Sequence, residues 1–395
     1  MRPLLFALLA LYITAINALT APSDDRFTAA IAAYKNKSFV EAFQLFQPLA
    51  EGGNASAQYN LGLMLANGKG VAKNEAEAVK WYRKAAEQGH GNAQYNLGVS
   101  LAKGEGVAKN ETEAVQLYRK AAEQGDANAQ NNLGVMLDKG EGVAKNEAEA
   151  VKWYRKAAEQ GNASAQYNLG VMLANGKGVA QNEAEAVKWY RKAAEQGHGD
   201  AQSNLGVMYL NGDGGLLQDD LQAFAMFRKA AVIGNEYAFF NLGRMYKNGR
   251  GVARNDVLAY AYLNLAAGNG HSSAATMRDE VFSTLKPAQV KEGQSLSSNW
   301  KLGQPLPVRT TTWSEKALLP VAKPNPAPTV KSAVKPVNQP SASCQPPTGK
   351  LLRYSDRCVN ADCTRTFENG CTKRFQAPYC YDLLKSQWEW KPNGC

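Results

Sequence analysis

A Leu-Gly pair returns at Leu61-Gly62, Leu97-Gly98, Leu133-Gly134, Leu169-Gly170 and Leu205-Gly206, 36 residues apart each time, and again at Leu242-Gly243 after 37. A fixed period of this length predicts a solenoid. Each unit forms one pair of helices that cannot bury its apolar side without a neighbour. The extra residue falls in a glycine-rich turn at 212–215. One unit shows the logic. Helix A starts at Asn54 and carries Leu61, Met64 and Leu65 at the three-to-four spacing of a buried face. Gly68-Lys69-Gly70 breaks it, and Asn74 with Glu77 predicts an N-cap and capping box for helix B. Helix B presents Ala78, Trp81, Tyr82, Ala85 and Ala86 on one side and stops at Gly89.

The later copies keep this pattern, with predicted boxes at Asn110/Glu113, Asn146/Glu149, Asn182/Glu185 and Asp219/Gln222; Asn255/Leu258 lacks the acid. A shorter pair precedes them, with Ser38/Glu41 as its box and Tyr34, Phe39, Phe43 and Phe46 as its core. The predicted organisation is a signal peptide at 1–18, an N-terminal helix pair at 19–53 and six repeats at 54–272. Capping helices follow at 273–301, a Pro/Lys-rich linker at 302–343 and a six-cysteine module at 344–395. The signal reading rests on Arg2, an apolar run at 4–11 too short to span a bilayer, and small residues at Ala15, Ala18 and Ala21.

Charge and cysteine follow the same division. The chain carries 45 Lys+Arg against 35 Asp+Glu, but residues 286–395 hold 16 basic and 7 acidic side chains, so nearly all of the +10 excess lies there. That distribution argues against a uniformly basic nucleic-acid binder. Cys344, Cys358, Cys363, Cys371, Cys380 and Cys395 form an even, dense set behind an export signal, which predicts three disulfides with 15 open pairings. No C-x-x-C pair accompanies them, so no metal site is expected. Residues 364–367 and 372–375 read as a hairpin around Asn369-Gly370, with further strands at 351–354 and 387–390.

From Ala57 to Gly89 the pattern A-x-x-x-L-G-x-x-x-x-x-G-x-G-V, then A-x-x-W-Y-x-x-A-A-x-x-G, resembles the Sel-one-like repeat, a relative of the tetratricopeptide repeat. The resemblance covers about residues 21–300 and recurs in all six copies. It implies an all-α superhelical solenoid whose A helices line a groove, and a role as an adaptor for other proteins. Cysteine-rich members of the family carry one disulfide per repeat, whereas these repeats contain no cysteine. The expected fold class is therefore an all-α solenoid plus a small, disulfide-rich, mostly-β C-terminal module.

Asn60, Asn96, Asn132, Asn168, Asn204 and Asn241 stand immediately before each Leu-Gly, although asparagine is a poor helix former. In tetratricopeptide relatives this position faces the groove. A ladder of amides there suits an extended peptide, each offering a donor and an acceptor. The alternative is that each Asn ties one repeat to the next. Tyr59, Tyr95 and Tyr167 precede three of them as peptide contacts or inter-repeat core, and Arg244 makes the groove's end basic. The expected function is an exported, periplasmic or secreted scaffold, monomeric, binding a protein or peptide without cofactor. The alternative is a cell-envelope binder gripping wall or membrane through its basic tail. A third reading, a penicillin-recognising hydrolase, rests on Ser298-x-x-Lys301 and Ser332-x-x-Lys335. No K-T-G triplet supports it, and no catalytic residue is assigned.

Overall fold

The computed structural model describes residues 23–306 and the backbone of five strands between 354 and 390. An opening pair, α1 (Ser23–Lys35) and α2 (Phe39–Glu51), leads into six repeats. These pair α3 (Ala55–Asn67) with α4 (Glu75–Glu87), α5 (Gly91–Lys103) with α6 (Glu111–Glu123), and α7 (Ala127–Lys139) with α8 (Glu147–Glu159). Then come α9 (Ala163–Asn175) with α10 (Glu183–Glu195), α11 (Gly199–Asn211) with α12 (Asp220–Val232), and α13 (Glu236–Asn248) with α14 (Asp256–Gly268). Helices α15 (Ala274–Phe282) and α16 (Pro287–Ser298) close the array. Odd-numbered helices from α3 to α13 are the A helices and their partners the B helices.

Local chemistry sets the helix ends. Each B helix opens on a carboxamide or carboxylate that accepts a backbone N–H of its first turn, as Asn74 does from Glu77 at 3.0 Å. The reciprocal half of the expected capping boxes is missing. The backbone N–H of Asn74, Asn110, Asn146 and Asn182 donates instead to Leu65, Leu101, Leu137 and Leu173, at 2.8–2.9 Å. That bond pins the long loop to its own A helix. Glu113, Glu149 and Glu185, relieved of capping, accept from Arg83, Arg119 and Arg155 of the preceding repeat at 2.5, 2.7 and 2.7 Å. Ser38 makes no side-chain cap bond either.

Two glycines per repeat allow the close packing. A Cβ on Gly170 would lie 2.6 Å from the Tyr190 ring, so the Leu-Gly step is where an A helix rests on its own B helix. A Cβ on Gly106, in the long loop at φ +70°, would lie 2.4 Å from the Glu75 backbone of the previous repeat. The first contact closes a repeat and the second sets its distance from the next.

The apolar interior forms two continuous clusters, one from Ala30 to Met208 and one from Leu210 to Leu306, which meet inside α11. Phe46 and Phe227 are fully buried, and Tyr34, Phe39 and Phe43 pack half-buried around the first cluster. The packed unit also runs past the boundary expected at residue 301. Gly303 N–H donates to Val232 O at 2.7 Å, Trp300 lies edge-on to Phe239 at 5.2 Å, and Leu306 is buried. In the second unit, β1 (Tyr354–Val359), β2 (Asp362–Phe367) and β3 (Thr372–Gln376) form an antiparallel sheet in that order. A separate antiparallel pair joins β4 (Tyr379–Asp382) to β5 (Gln387–Trp390). β2 and β3 place Thr364 opposite Arg374. The signal segment, the linker beyond residue 306 and the cysteine side chains lie outside the described residues.

Candidate functional site

The A helices carry the residues singled out from sequence, and their neighbours decide what each can do. Asn60, Asn96, Asn132, Asn168 and Asn204 are half-buried, and Asn241 is buried. Asn96 reaches the hydroxyls of Tyr59 and Tyr82, one from each helix of the preceding repeat. Asn132 does the same with Tyr95 and Tyr118, and Asn204 with Tyr167 and Tyr190. The third repeat has no tyrosine before its Asn; there Asn168 Nδ2 donates to Asn131 Oδ1 at 3.0 Å. The two end members turn inward on their own helices, Asn60 Nδ2 to Ser56 O at 2.8 Å and Asn241 Nδ2 to Tyr237 O at 2.9 Å.

Burial drives the tyrosine pKa values upward, with Tyr118 and Tyr190 pushed up to about 12, and the facing asparagine opposes the rise. Both hydroxyls therefore stay protonated across the physiological range. The rings of Tyr59/Tyr82, Tyr95/Tyr118 and Tyr167/Tyr190 lie 6.0–6.2 Å apart, so the tyrosine stripe packs against the core while its edge borders the A-helix face. Arg244 is exposed at the far end, its guanidinium 5.8 Å from the Phe240 ring and bonded to Asn241 Oδ1 at 3.3 Å.

Between the asparagine rungs the face is mildly apolar. Leu63, Val99, Val135 and Val171 are half-buried and Val207 is exposed, each three positions after its Asn. Between α3 and α5, above α4, the face opens into a cleft of about 330 Å³.

A second row of amides does more structural work and was passed over in the sequence. Gln58, Gln94, Gln130, Gln166 and Gln202 are buried. Each Nε2 donates to the last turn of the preceding even-numbered helix, Gln58 to Ala50 O of α2 at 3.0 Å, Gln94 to Ala86 O at 3.2 Å and Gln130 to Ala122 O at 3.0 Å. Their Oε1 atoms accept from Gln88, Gln124, Gln160 and Gln196, at 2.7–2.8 Å. The row stops where Ile233 takes the place of the next donor, leaving Gln202 Oε1 buried without a partner among the described residues. The available signal was a glutamine kept two positions before the Asn in five copies, on the face that also carries Leu61 and Leu65.

Two histidines occupy A-helix N-caps. His90 Nδ1 accepts from Ala93 N at 3.3 Å and His198 Nδ1 from Ala201 N at 3.4 Å, and the rings stack on Tyr59 and Tyr167 at 4.9 and 4.7 Å. Burial lowers both pKa values. Among the described residues, no three His, Cys, Asp or Glu side chains gather as a metal-binding group, and no helix is long and apolar enough to cross a membrane.

The Sel1 repeat model matches residues 55–90, 91–126, 127–162, 163–198, 199–231 and 237–271. A Sel1 repeat protein from Oxalobacter formigenes is similar at 37% identity, over 61% of this chain and 96% of that one, with a TM-score of 0.57. The c5321 protein, a protective antigen present in uropathogenic Escherichia coli strains and displaying an SLR fold, is similar at 30% identity. It covers 82% of this chain and 75% of its own, with a TM-score of 0.54. No curated protein matches.

The histidine caps predict a pH dependence. Nδ1 accepts only when unprotonated, and the folded pKa values lie below the unfolded reference, so the caps are intact above about pH 6.5. Their stabilisation is lost as pH falls through the folded values. Each cap contributes up to about 1 kcal/mol, less with solvent screening. The double variant His90→Asn/His198→Asn installs the cap found at Asn54 and Asn162. Urea midpoints at pH 7.5 and 5.5 should then differ less in the variant than in the parent; equal differences would show that the caps do not titrate in this window.

Proposed function

The chain belongs to the Sel1 repeat family, and on that premise we propose that it is an exported scaffold holding an extended segment of a partner protein along its A-helix face. Sel1 repeat proteins are generally protein-interaction scaffolds, and the repeat fold is typically non-enzymatic. The observation that carries the finer reading is the strip of Leu63, Val99, Val135, Val171 and Val207. These side chains recur once per repeat on one face, short of full burial, between rungs whose amides and hydroxyls hold one another. Such a strip gives an extended chain an apolar contact at each repeat, and the tyrosine edges add rigid area at low entropic cost. The internal bonding of the asparagines moves the main contacts from the amides to the valines.

Peptides selected on the full chain from a displayed random library provide the probe. The double variant Val135→Lys/Val171→Lys should weaken their binding about tenfold or more. Both valines also pack partly against the core, so some loss of thermal stability is expected, and binding is compared at a temperature where the variant keeps the parent's helical circular dichroism. Undiminished binding by a folded double variant would remove the A-helix face from the function.

Export is the second part of the proposal, supported by the sequence of residues 1–18 and by cysteines confined to positions after 343. Intact mass of the chain recovered from its own cells should correspond to cleavage after Ala18 and to six oxidised thiols. A full-length mass with alkylatable cysteines would place it in a reducing compartment.

A further inference from the structure

Along the edge formed by the long loops, most repeats place a cation two positions before the first acid of the B helix and pair the two. Lys73 meets Glu75 at 2.6 Å, Lys109 meets Glu111 at 2.6 Å, Lys145 meets Glu147 at 2.7 Å and Arg254 meets Asp256 at 2.9 Å. The fourth and fifth repeats carry Gln181 and Gln218 at that position. Asp220 recovers a cation from the following loop, with Arg250 Nε at 2.8 Å. Glu183 does not; it accepts from the Gln181 amide and from the Gly214 N–H, each at 3.3 Å. The loop position held by Lys69 and Lys177 in the first and fourth repeats is Asp213 in the fifth, where it accepts from Asn211 Nδ2 at 2.9 Å. Asp219 caps α12, accepting from the Leu221 and Gln222 N–H groups at 3.0 and 2.9 Å. Among the described residues, Glu183, Asp213 and Asp219 therefore have only neutral donors.

The same corner exposes leucine. The turn at 213–215 rests on the first turn of α10, and a Cβ on Gly214 would lie 2.7 Å from Val187 Cγ2. A Cβ on the next residue, Gly215, would meet nothing within 4 Å. Leu217 beyond it is 88% exposed, and Leu221, four positions on across the Asp219 cap, is 53% exposed. The fourth repeat holds alanine at both places, Ala180 and Ala184. No large apolar side chain is exposed in the first four repeats, so the leucines and the unpaired acids are two departures that coincide. The Glu183–Gly214 bond fixes one to the other, because it ties a carboxylate of α10 to the turn that leads into Leu217.

We propose that this corner is a second docking surface, separate from the A-helix face, for a basic segment of a partner protein that carries a lysine or arginine beside an apolar side chain. Covering Leu217 and Leu221 with the apolar residue removes both from water, which is the favourable term. The carboxylates without an internal cation select the sign of the neighbouring charge. An acidic segment meets repulsion from Glu183, Asp213 and Asp219, and a neutral apolar one forgoes the charge contact. Arg250 does not cancel the field, since Asp220 and the Leu210 carbonyl already hold its guanidinium. The surface is small and exposed, so the contact is weak, transient and sensitive to salt.

The test uses the full chain, the library-selected peptides and two double variants that install residues of sister repeats. Leu217→Ala/Leu221→Ala copies Ala180 and Ala184, and Gln181→Lys/Asp213→Lys copies Lys145 and Lys177. Both should keep the parent's helical circular dichroism, because the same residues sit at the same places elsewhere in the array. One class of selected peptides should carry Lys or Arg beside Leu, Ile or Phe. Its binding should weaken about tenfold in each double variant, and about threefold or more when salt rises from about 50 to about 300 mM. The same class should bind Val135→Lys/Val171→Lys as it binds the parent, which separates the corner from the A-helix face. Selected peptides that all bind both corner variants as tightly as the parent would overturn the proposal. So would corner-dependent peptides that are acidic or uncharged.

Discussion

A glutamine amide buried at every junction from the opening pair to the fifth repeat is the bond on which the array depends. Gln94 bonds backward to Ala86 O and accepts from Gln124, so one side chain joins two helices of the next-door B row through its own A helix. A helix pair of this size cannot bury enough surface alone, and its stability comes from the interface with its neighbours. Apolar packing supplies most of that interface energy but little register. The glutamine row adds register, since a shift of one residue would strand a buried amide and a buried carbonyl at a cost of about 1–3 kcal/mol each. The glycine contacts at Gly106 and Gly170 set the spacing, and the Arg–Glu pairs at 30-residue separation repeat the same alignment on a wetter face. Those pairs are half-exposed and contribute little individually.

This division of labour leaves the A-helix face open to the partner segment proposed for it. Among the described residues, the glutamines from Gln58 to Gln166 are bonded across the junctions and the asparagines face tyrosine hydroxyls or bond neighbouring amides and their own helices, so the strip from Leu63 to Val207 is the apolar part of the face that these contacts leave uncovered. The fifth repeat breaks the pattern in several places at once: an extra glycine, Ile233 in place of the glutamine donor, the unpartnered Gln202 Oε1 and the change from one core cluster to the next. The first four repeats are accordingly the more regular part of the face, and they hold four of the five strip residues, Leu63, Val99, Val135 and Val171.

Much of the fold was legible in the sequence because its signals are local. The 36-residue period, the Asn74-type caps and the Gly68-type stops locate the helices from spacing and backbone preference alone. What escaped depends on the neighbouring repeat. The capping boxes failed because the Asn74 N–H is drawn to Leu65 O, a contact made across a folded loop. Gln58 looked like one more polar helix residue, since nothing in its own repeat shows that Ala50 O lies beside it. His90 and His198 fell outside the usual N-cap residues and were not read as caps. The asparagine ladder was seen but left between groove and tie, because the choice turns on tyrosines of the preceding repeat. β1 was missed beyond Tyr354, as its Ser-Asp-Arg run lacks the apolar alternation of a half-buried strand.

The dependence of the array on its buried glutamines is tested most directly at the middle of the row. Gln130→Leu keeps the size of the side chain close to native and removes both bonds, leaving Ala122 O and the Gln160 amide without their partner. Equilibrium urea unfolding of the full chain, followed by helical circular dichroism, compares this variant with the parent. The account predicts a loss of about 1–3 kcal/mol and a transition that broadens or splits, because weakening one interface uncouples the repeats on either side. A variant that unfolds at the parent's midpoint with the parent's steepness would contradict it, and apolar packing alone would then hold the solenoid in register.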